Sequence, residues 1–110
     1  MKTISNKSKV DKVIFRPEFS AICSVGKKPF WGNIKITYYP GGEILEFCSV
    51  EEYIKTLANQ SVTIEDITRI VFDECLRVLG DIPLRVIVSA RTTVHAPASA
   101  EISNQWSNEK

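Results

Sequence analysis

The spacing of apolar residues restricts the fold of this chain more than any other feature, because the repeat changes from two to about 3.6 and back along the sequence. Residues 31–39 alternate between two faces, which is typical of a half-buried strand. Pro40-Gly41-Gly42 then predicts a tight turn, since proline fixes a negative φ and glycine accepts a positive one. Residues 44–47 are expected to return as the second strand of a hairpin.

Two helices are predicted after this hairpin. Ser49 and Glu52 have the spacing of a capping box, so the first helix is expected to begin at Ser49 and to continue through residues 50–57. Thr63 is expected to cap a second, longer helix that ends at Gly80. The apolar residues of this second helix recur at helical spacing and form its predicted buried stripe: Ile64, Ile67, Ile70, Val71, Cys75 and Val78.

The order of the elements predicts the fold class. Alternation resumes over residues 84–91, and a weaker last strand is expected over residues 92–102. The resulting order, ββααββ, predicts an α+β domain in which two helices cover one face of a four-stranded antiparallel sheet. Residues 1–110 are expected to form this single domain, with frayed ends at residues 1–10 and 103–110. Its open sheet edges can pair with neighbouring subunits, so we expect a homo-oligomer.

Composition excludes several classes of protein. Hydrophobic residues make up 44% and charged residues 25% of the chain, as in soluble globular domains and unlike disordered or collagen-like chains. No apolar run approaches the roughly 20 residues that span a bilayer, and the polar, basic N-terminus lacks the apolar core of a secretory signal. We therefore expect no membrane association. Three cysteines without paired spacing predict reduced thiols and a cytoplasmic location.

A net charge of +1 conceals an uneven distribution. Residues 1–30 carry seven basic and two acidic side chains, whereas the remaining residues carry seven basic and eleven acidic ones. A basic N-terminal third suits a polyanionic partner such as RNA. It equally suits a solvated arm that keeps the protein soluble. Charge alone leaves both interpretations open.

Cys23 is the candidate nucleophile. It precedes a glycine and two lysines in the segment SAICSVGKKPFWG, which we expect to be an irregular loop, and nearby cations favour the reactive thiolate. On the residues alone, Cys23 can also be an ordinary loop thiol. Cys48 and Cys75 are expected to be small buried side chains, and His95 a hydrogen-bonded structural residue. These four residues lack the short paired spacing of zinc ligands, so no metal site is predicted.

The segment that begins at Cys23 resembles the nucleophile segment of the QueF family, the nitrile reductases that act on 7-cyano-7-deazaguanine and have the tunnelling fold. The family typically reads Cys-Pro-Val-Thr-Gly-Gln-Pro-Asp-Trp, and residues 23–31 read Cys-Ser-Val-Gly-Lys-Lys-Pro-Phe-Trp. The resemblance extends over roughly residues 15 to 102. It implies that the subunits assemble into a barrel and that Cys23 attacks the nitrile carbon to form a covalent thioimide.

The resemblance also implies substrate-binding residues. A His-Glu pair opens the second helix of the family, where the glutamate binds the edge of the deazaguanine base. The matching residues here are Ile64 and Glu65, so Glu65 keeps that role without the histidine. A carboxylate can accept hydrogen bonds from two adjacent N–H groups, although Glu65 taken alone can simply stabilise the helix dipole. Arg91 matches the arginine of the family's Pro-Arg-Gly-Gly run, which makes it a further candidate.

Two departures from the family bear on activity. The reductases carry Glu-Ser-Lys-Ser-Leu-Lys, which helps to hold the NADPH phosphates, whereas residues 46–51 contain neither lysine. We therefore predict that no cofactor is used, with NADPH as the alternative. The family's general acid lies seven residues after the cysteine, where this chain has Phe30. His95 and Arg91 are candidates for its role.

Residues 49–55 are more similar to the archaeal QueF-like branch of the family. Those amidinotransferases form the same thioimide on a base already within tRNA, and ammonia then displaces the thiol to leave archaeosine. We therefore predict an amidinotransferase that takes ammonia and acts on tRNA. One alternative is an NADPH-dependent reductase of the free base in the queuosine pathway. Another is a non-catalytic protein that binds a purine-like ligand or assembles with partner subunits.

Overall fold

The computed structural model of the chain describes residues 1–92 and 96–106. Within these residues the strands and helices follow in this order: β1 (Thr3–Ser5), β2 (Val13–Phe15), β3 (Glu18–Cys23), β4 (Pro29–Tyr38), β5 (Glu43–Leu45), α1 (Phe47–Lys55), β6 (Ser61–Val62), α2 (Ile64–Leu79), β7 (Leu84–Arg91) and β8 (Ala98–Asn104). A 3₁₀ turn, Thr56–Asn59, joins α1 to β6. No helix in the described ranges is long and apolar enough to cross a membrane.

The ten-residue strand β4 lies at the centre of the sheet. It pairs with β7 along one edge and with β2 and β3 along the other, and β8 pairs with β7. Strands β3, β4, β7 and β8 pair with one another in antiparallel order, and the two-residue strand β6 extends the sheet in parallel with β3. The predicted α+β fold with two helices is confirmed, but the sheet has six strands, because β2 and β6 join the four antiparallel strands β3, β4, β7 and β8.

The first hairpin of this sheet differs from the prediction. Strand β5 pairs with β1 in a separate two-stranded sheet, and the antiparallel neighbour of β4 is β3. The backbone N–H of Leu45 donates to the hydroxyl of the buried Tyr38 at 2.8 Å, so a side chain joins β5 to the end of β4 where a hairpin would have backbone bonds. Residues 1–10, predicted to be frayed, therefore include a paired strand.

Helix α1 begins two residues before the position that the sequence predicts. Its N-cap is Glu46, whose carboxylate accepts from the backbone N–H groups of Cys48 and Ser49 at 2.8 and 2.9 Å. The predicted capping box at Ser49 is wrong, because the Ser49 hydroxyl is occupied elsewhere. It accepts from the backbone N–H of Lys2 and donates to the carbonyl of Glu46.

Helix α2 has the boundaries that its sequence predicts. The Thr63 hydroxyl accepts from the backbone N–H of Asp66, and the Asp66 carboxylate accepts from that of Thr63, which completes a capping box. At the other end Gly80 has a φ of 85°, a conformation that glycine adopts without steric cost. Local side-chain chemistry is therefore sufficient to define both ends of this helix.

One apolar core lies between the helices and the sheet. Alternate residues of the central strands face it and are fully buried: Ile34, Ile36, Val86 and Val88. From α2 the residues Ile67, Val71 and Cys75 are buried as predicted, whereas Ile64, Ile70 and Val78 are only partly buried. The opposite face of β4 is exposed at Trp31 and Asn33.

Gly32 allows β4 and β7 to approach closely. It lies opposite Ala90 in the register of the two strands, and a Cβ atom built on it would lie 1.8 Å from the carbonyl oxygen of Ser89. That oxygen belongs to the backbone, so relief of the clash requires one strand to move. The end of β7 is thereby held against β4.

We predict that Gly32→Ala destabilises the protein by about 1–3 kcal/mol or more, because the added methyl group forces the two strands apart. The measurement is the free energy of unfolding from denaturant titration. The matched control is Gly41→Ala, since a Cβ atom there meets nothing within 4 Å. Equal stabilities of the two variants would contradict the prediction.

Candidate functional site

Cys23 is the last residue of β3, and a tight turn follows it where we expected an irregular loop. The backbone N–H of Cys23 donates to the carbonyl of Lys28 at 2.9 Å, and its carbonyl accepts from the N–H of Lys27 at 2.8 Å. Lys27 has a φ of 60°, which closes the turn. The sulfur is therefore held by regular sheet on one side and by a closed turn on the other.

Backbone N–H groups of this turn stabilise the thiolate of Cys23. The N–H of Gly26 donates to Sγ at 3.4 Å, and this bond, followed by that of Val25, holds the pKa of Cys23 below its ordinary value. Partial burial and the charge of Glu65 act in the opposite direction, while Lys27 adds a smaller lowering effect. Successive N–H groups that converge on one atom are an anion site, and here the anion is the sulfur itself.

A two-residue parallel bridge brings α2 next to Cys23. Ile22 pairs with Ser61 and Cys23 with Val62, and the N–H of Ser24 donates to the carbonyl of Val62 at 3.2 Å. Because the N-cap of α2 follows Val62 directly, the first turn of that helix begins beside the sulfur. Strand β6 is too short to show any pattern in the sequence, so this contact could not be predicted from periodicity.

The ends of β3, β4, β7 and α2 enclose a cavity of about 270 Å³. Its polar lining includes Cys23, Glu65 and Arg91, the three site residues expected from the sequence, and Lys28. Most of the remaining lining is apolar, with Phe30, Ile64 and several alanines. A mostly apolar cavity with a few convergent polar groups is the usual form of a small-molecule site.

Phe30 fills the position of the family's general acid. It is buried and packs edge-on against Phe19, with ring centroids 5.8 Å apart, and its ring forms part of the cavity wall. His95, proposed above as a substitute, lies outside the described residues. Arg91, the other candidate, lines the cavity.

The other two cysteines differ from Cys23 and from each other. Cys75 is buried as predicted, and burial raises its pKa to about 12. The prediction that Cys48 is buried is wrong, because the first turn of α1 exposes it. Its pKa is raised, above all by the neighbouring charge of Glu46. In the described part of the chain, no three His, Cys, Asp or Glu side chains are grouped as metal ligands.

Lys28 is a cavity residue that was not predicted, because residues 23–29 were expected to form a loop. Its spacing is the available signal: Lys28 lies two residues before the buried Phe30, and such residues project to the same side of an extended segment.

The architecture of the chain is that of a tunnelling-fold domain. A solved structure described as the archaeosine synthase QueF-Like in the apo form matches with a TM-score of 0.81. The match covers 89% of this chain and 97% of that one, at 10% sequence identity. At this identity the likeness concerns the fold alone.

Curated relatives narrow the classification. The NADPH-dependent 7-cyano-7-deazaguanine reductase of Frankia casuarinae is 31% identical over 72 residues, which are 66% of this chain and 58% of the relative. The enzyme of the same name from Chlorobium chlorochromatii is 29% identical over 94 residues, which are 84% of this chain and 81% of the relative. The enzyme of that name from Thermotoga maritima matches with 33% identity over 72 residues, which are 64% of this chain and 53% of the relative. No protein-family model matches. Over these shared segments the chain is similar to the reductases of the QueF family.

Coverage differs among these relatives. The matched part of the chain spans less than two thirds of the Frankia and Thermotoga proteins, 58% and 53% of their lengths, and 81% of the Chlorobium protein.

We predict that iodoacetamide alkylates Cys23 faster than Cys48 at pH 7, although Cys48 is the more exposed thiol. Backbone N–H groups increase the thiolate fraction of Cys23, and the charge of Glu46 decreases that of Cys48. Cys75 should react only after unfolding. Peptide mass spectrometry after timed alkylation between pH 6 and 9 measures all three rates in one sample. A faster reaction at Cys48 across this range would contradict the prediction.

Proposed function

We propose that this protein is an amidinotransferase that forms a covalent thioimide between Cys23 and a 7-cyano-7-deazaguanine base in tRNA. The observation that carries the proposal is the cavity where a stabilised thiol meets a carboxylate and a guanidinium, those of Cys23, Glu65 and Arg91. The relatives support the substrate, since the names of those described above specify a reductase of 7-cyano-7-deazaguanine.

The first step is an addition that uses the lowered pKa of the Cys23 thiol. The Cys23 thiolate attacks the nitrile carbon, a C–S bond forms, and an electron pair of the C≡N bond moves to nitrogen, which takes up one proton. A nitrile is a weak electrophile, so the reaction needs a thiolate held against the carbon. Backbone N–H groups of the turn after β3 stabilise this thiolate.

The second step is a displacement without a redox change. Ammonia attacks the thioimide carbon, the C–S bond breaks, the sulfur leaves as a thiolate, and the added nitrogen releases one proton. The product carries an amidine in place of the nitrile. The nitrile carbon is neither oxidised nor reduced in this sequence, so the reaction needs no hydride donor.

In this proposal Glu65 orients the heterocycle. It is exposed in the first turn of α2 and lines the same cavity as Cys23. Its carboxylate can accept from two adjacent N–H groups of a guanine-like edge, and bonds to a charged acceptor are stronger than those between neutral groups. Arg91 lies at the end of β7, from where its guanidinium can donate to a carbonyl oxygen of the base.

The start of α1 does not fit a nucleotide phosphate. It matches the segment in which the reductases carry NADPH-binding lysines, but the Glu46 carboxylate caps the helix here. The charge of Glu46, with smaller contributions from Glu51 and Glu52, raises the pKa of Cys48, so the local field is negative. A phosphate would be repelled at this position, and we derive no hydride transfer. The reductase alternative nevertheless has the support of the relatives' names, and the experiment below tests it.

The distribution of charge supports RNA as the carrier of the base. Lys12, Arg16, Lys27 and Lys28 are exposed on a folded N-terminal third of the chain. Contacts of such cations to phosphates add affinity that is independent of base sequence. Recognition of the modified base then falls to the cavity.

We predict that the protein forms a covalent adduct of one base per chain with 7-cyano-7-deazaguanine, presented free or within tRNA. Intact mass spectrometry at neutral pH measures the adduct, and Cys23→Ala should abolish it, while Cys48→Ala serves as the matched control that retains it. Ammonium should then release an amidine product. If NADPH oxidation depends on the nitrile, the protein is a reductase. Reversible binding that Cys23→Ala leaves intact, with no adduct, would indicate a non-catalytic protein.

We further predict opposite effects of Glu65→Gln on binding and on thiol reactivity. Loss of the charged acceptor should weaken substrate binding about 10- to 100-fold, seen as a higher substrate concentration at half-maximal adduct rate. Since the charge of Glu65 raises the pKa of Cys23, its removal should leave alkylation by iodoacetamide equally fast or faster. A parallel loss of both rates would instead indicate a structural role for Glu65.

A further inference from the structure

The proposed reaction needs a proton at the nitrile nitrogen, and Phe30 cannot supply it. This position is apolar, buried and packed against Phe19, so a carboxyl group is absent from the site where the family's acid would be. The negative charge that develops on nitrogen must nevertheless be neutralised as the C–S bond forms. A different proton donor, a cavity residue or water, has to perform this task.

Lys28 lies across from Cys23, just beyond the paired part of β3 and β4. The two strands pair Ala21 with Phe30 and Ile22 with Pro29, and the next backbone bond runs from the Cys23 N–H to the Lys28 carbonyl at 2.9 Å. Both side chains line the cavity, so the stem of Lys28 starts near the thiol.

Lys28 and Phe30 line the same cavity. Lys28 directly precedes β4, and residues two apart along an extended segment project to the same side. A proton donor at position 28 thus approaches the nitrile from the strand face that carries the acid in the family's pattern. Lys28 is exposed, so its ammonium group can exchange protons with solvent.

The other polar groups that face Lys28 in the described cavity are less suited to this transfer. Arg91 on β7 carries a guanidinium that does not give up a proton in proteins. Glu65 on α2 acts as an acceptor for the base, and the Thr63 hydroxyl accepts from the backbone N–H of Asp66. An aliphatic hydroxyl such as that of Thr92 is a much weaker acid than an ammonium group.

We propose that Lys28 is the catalytic proton donor, an inference that rests on the proposed thioimide chemistry. As the C–S bond forms, an N–H bond of the Lys28 ammonium breaks and the proton passes to the nitrile nitrogen, which leaves a neutral amine. When ammonia attacks the thioimide, this amine accepts the surplus proton as the thiolate departs. Lys28 and Cys23 return to their initial states, and the net reaction is the addition of ammonia to the nitrile.

The test compares adduct formation in Lys28→Met, Lys28→Arg and the wild type, with the form of the nitrile base that the wild type accepts. Methionine keeps the length of the stem without a proton, and arginine keeps the charge without a transferable proton. Both variants should form the adduct about 10²–10⁴-fold more slowly. Lys35→Met, on the opposite face of β4, is the matched control and should retain the wild-type rate.

Alkylation of Cys23 by iodoacetamide separates proton donation from support of the thiolate, because that reaction needs a thiolate and no acid. It should proceed at nearly the wild-type rate in Lys28→Met, and thermal unfolding should confirm that the variant is folded. Equal adduct rates in Lys28→Met and the wild type would overturn the role of Lys28 alone, as would an equal loss of adduct and alkylation rates. The absence of an adduct in the wild type would overturn the proposed function itself.

Discussion

The short parallel contact between β3 and β6 is the interaction on which the site depends. It joins Cys23 to Val62, and the cap of α2 follows in the very next residue, so two backbone pairs place a helix start beside a sulfur atom. The long strands and the apolar core stabilise the domain around this contact, but neither includes the pairing of β3 with β6. Because of this contact, Cys23 and Glu65 line the same cavity although they are 42 positions apart in the chain.

The sequence predicts those parts of the fold whose causes are local. The hydroxyl of Thr63 and the freedom of Gly80 define α2, and alternation defines β4 and β7. The partner of β4 was not predictable in this way, since β5 pairs with the distant strand β1 and contacts β4 through the side chain of Tyr38. Residue chemistry suggested Cys23 as a nucleophile, but only the family resemblance linked it to Glu65.

The three cysteines show how strongly the backbone controls thiol chemistry. Burial makes Cys75 the weakest acid, and a helix start with acidic neighbours suppresses ionisation of the exposed Cys48. Only Cys23 accepts N–H groups from a turn, and only its pKa is lowered. Exposure is thus a poor guide to reactivity here, and the direction of nearby N–H dipoles is a better one.

The turn after β3 forms as the protein folds, before any ligand binds. Its hydrogen bonds form within the protein alone, between Cys23 and residues 26–28, so the orientation of the sulfur is complete before any ligand arrives. A preorganised donor set loses little further conformational freedom during association. The position of the Cys23 sulfur is therefore set by the folded chain itself.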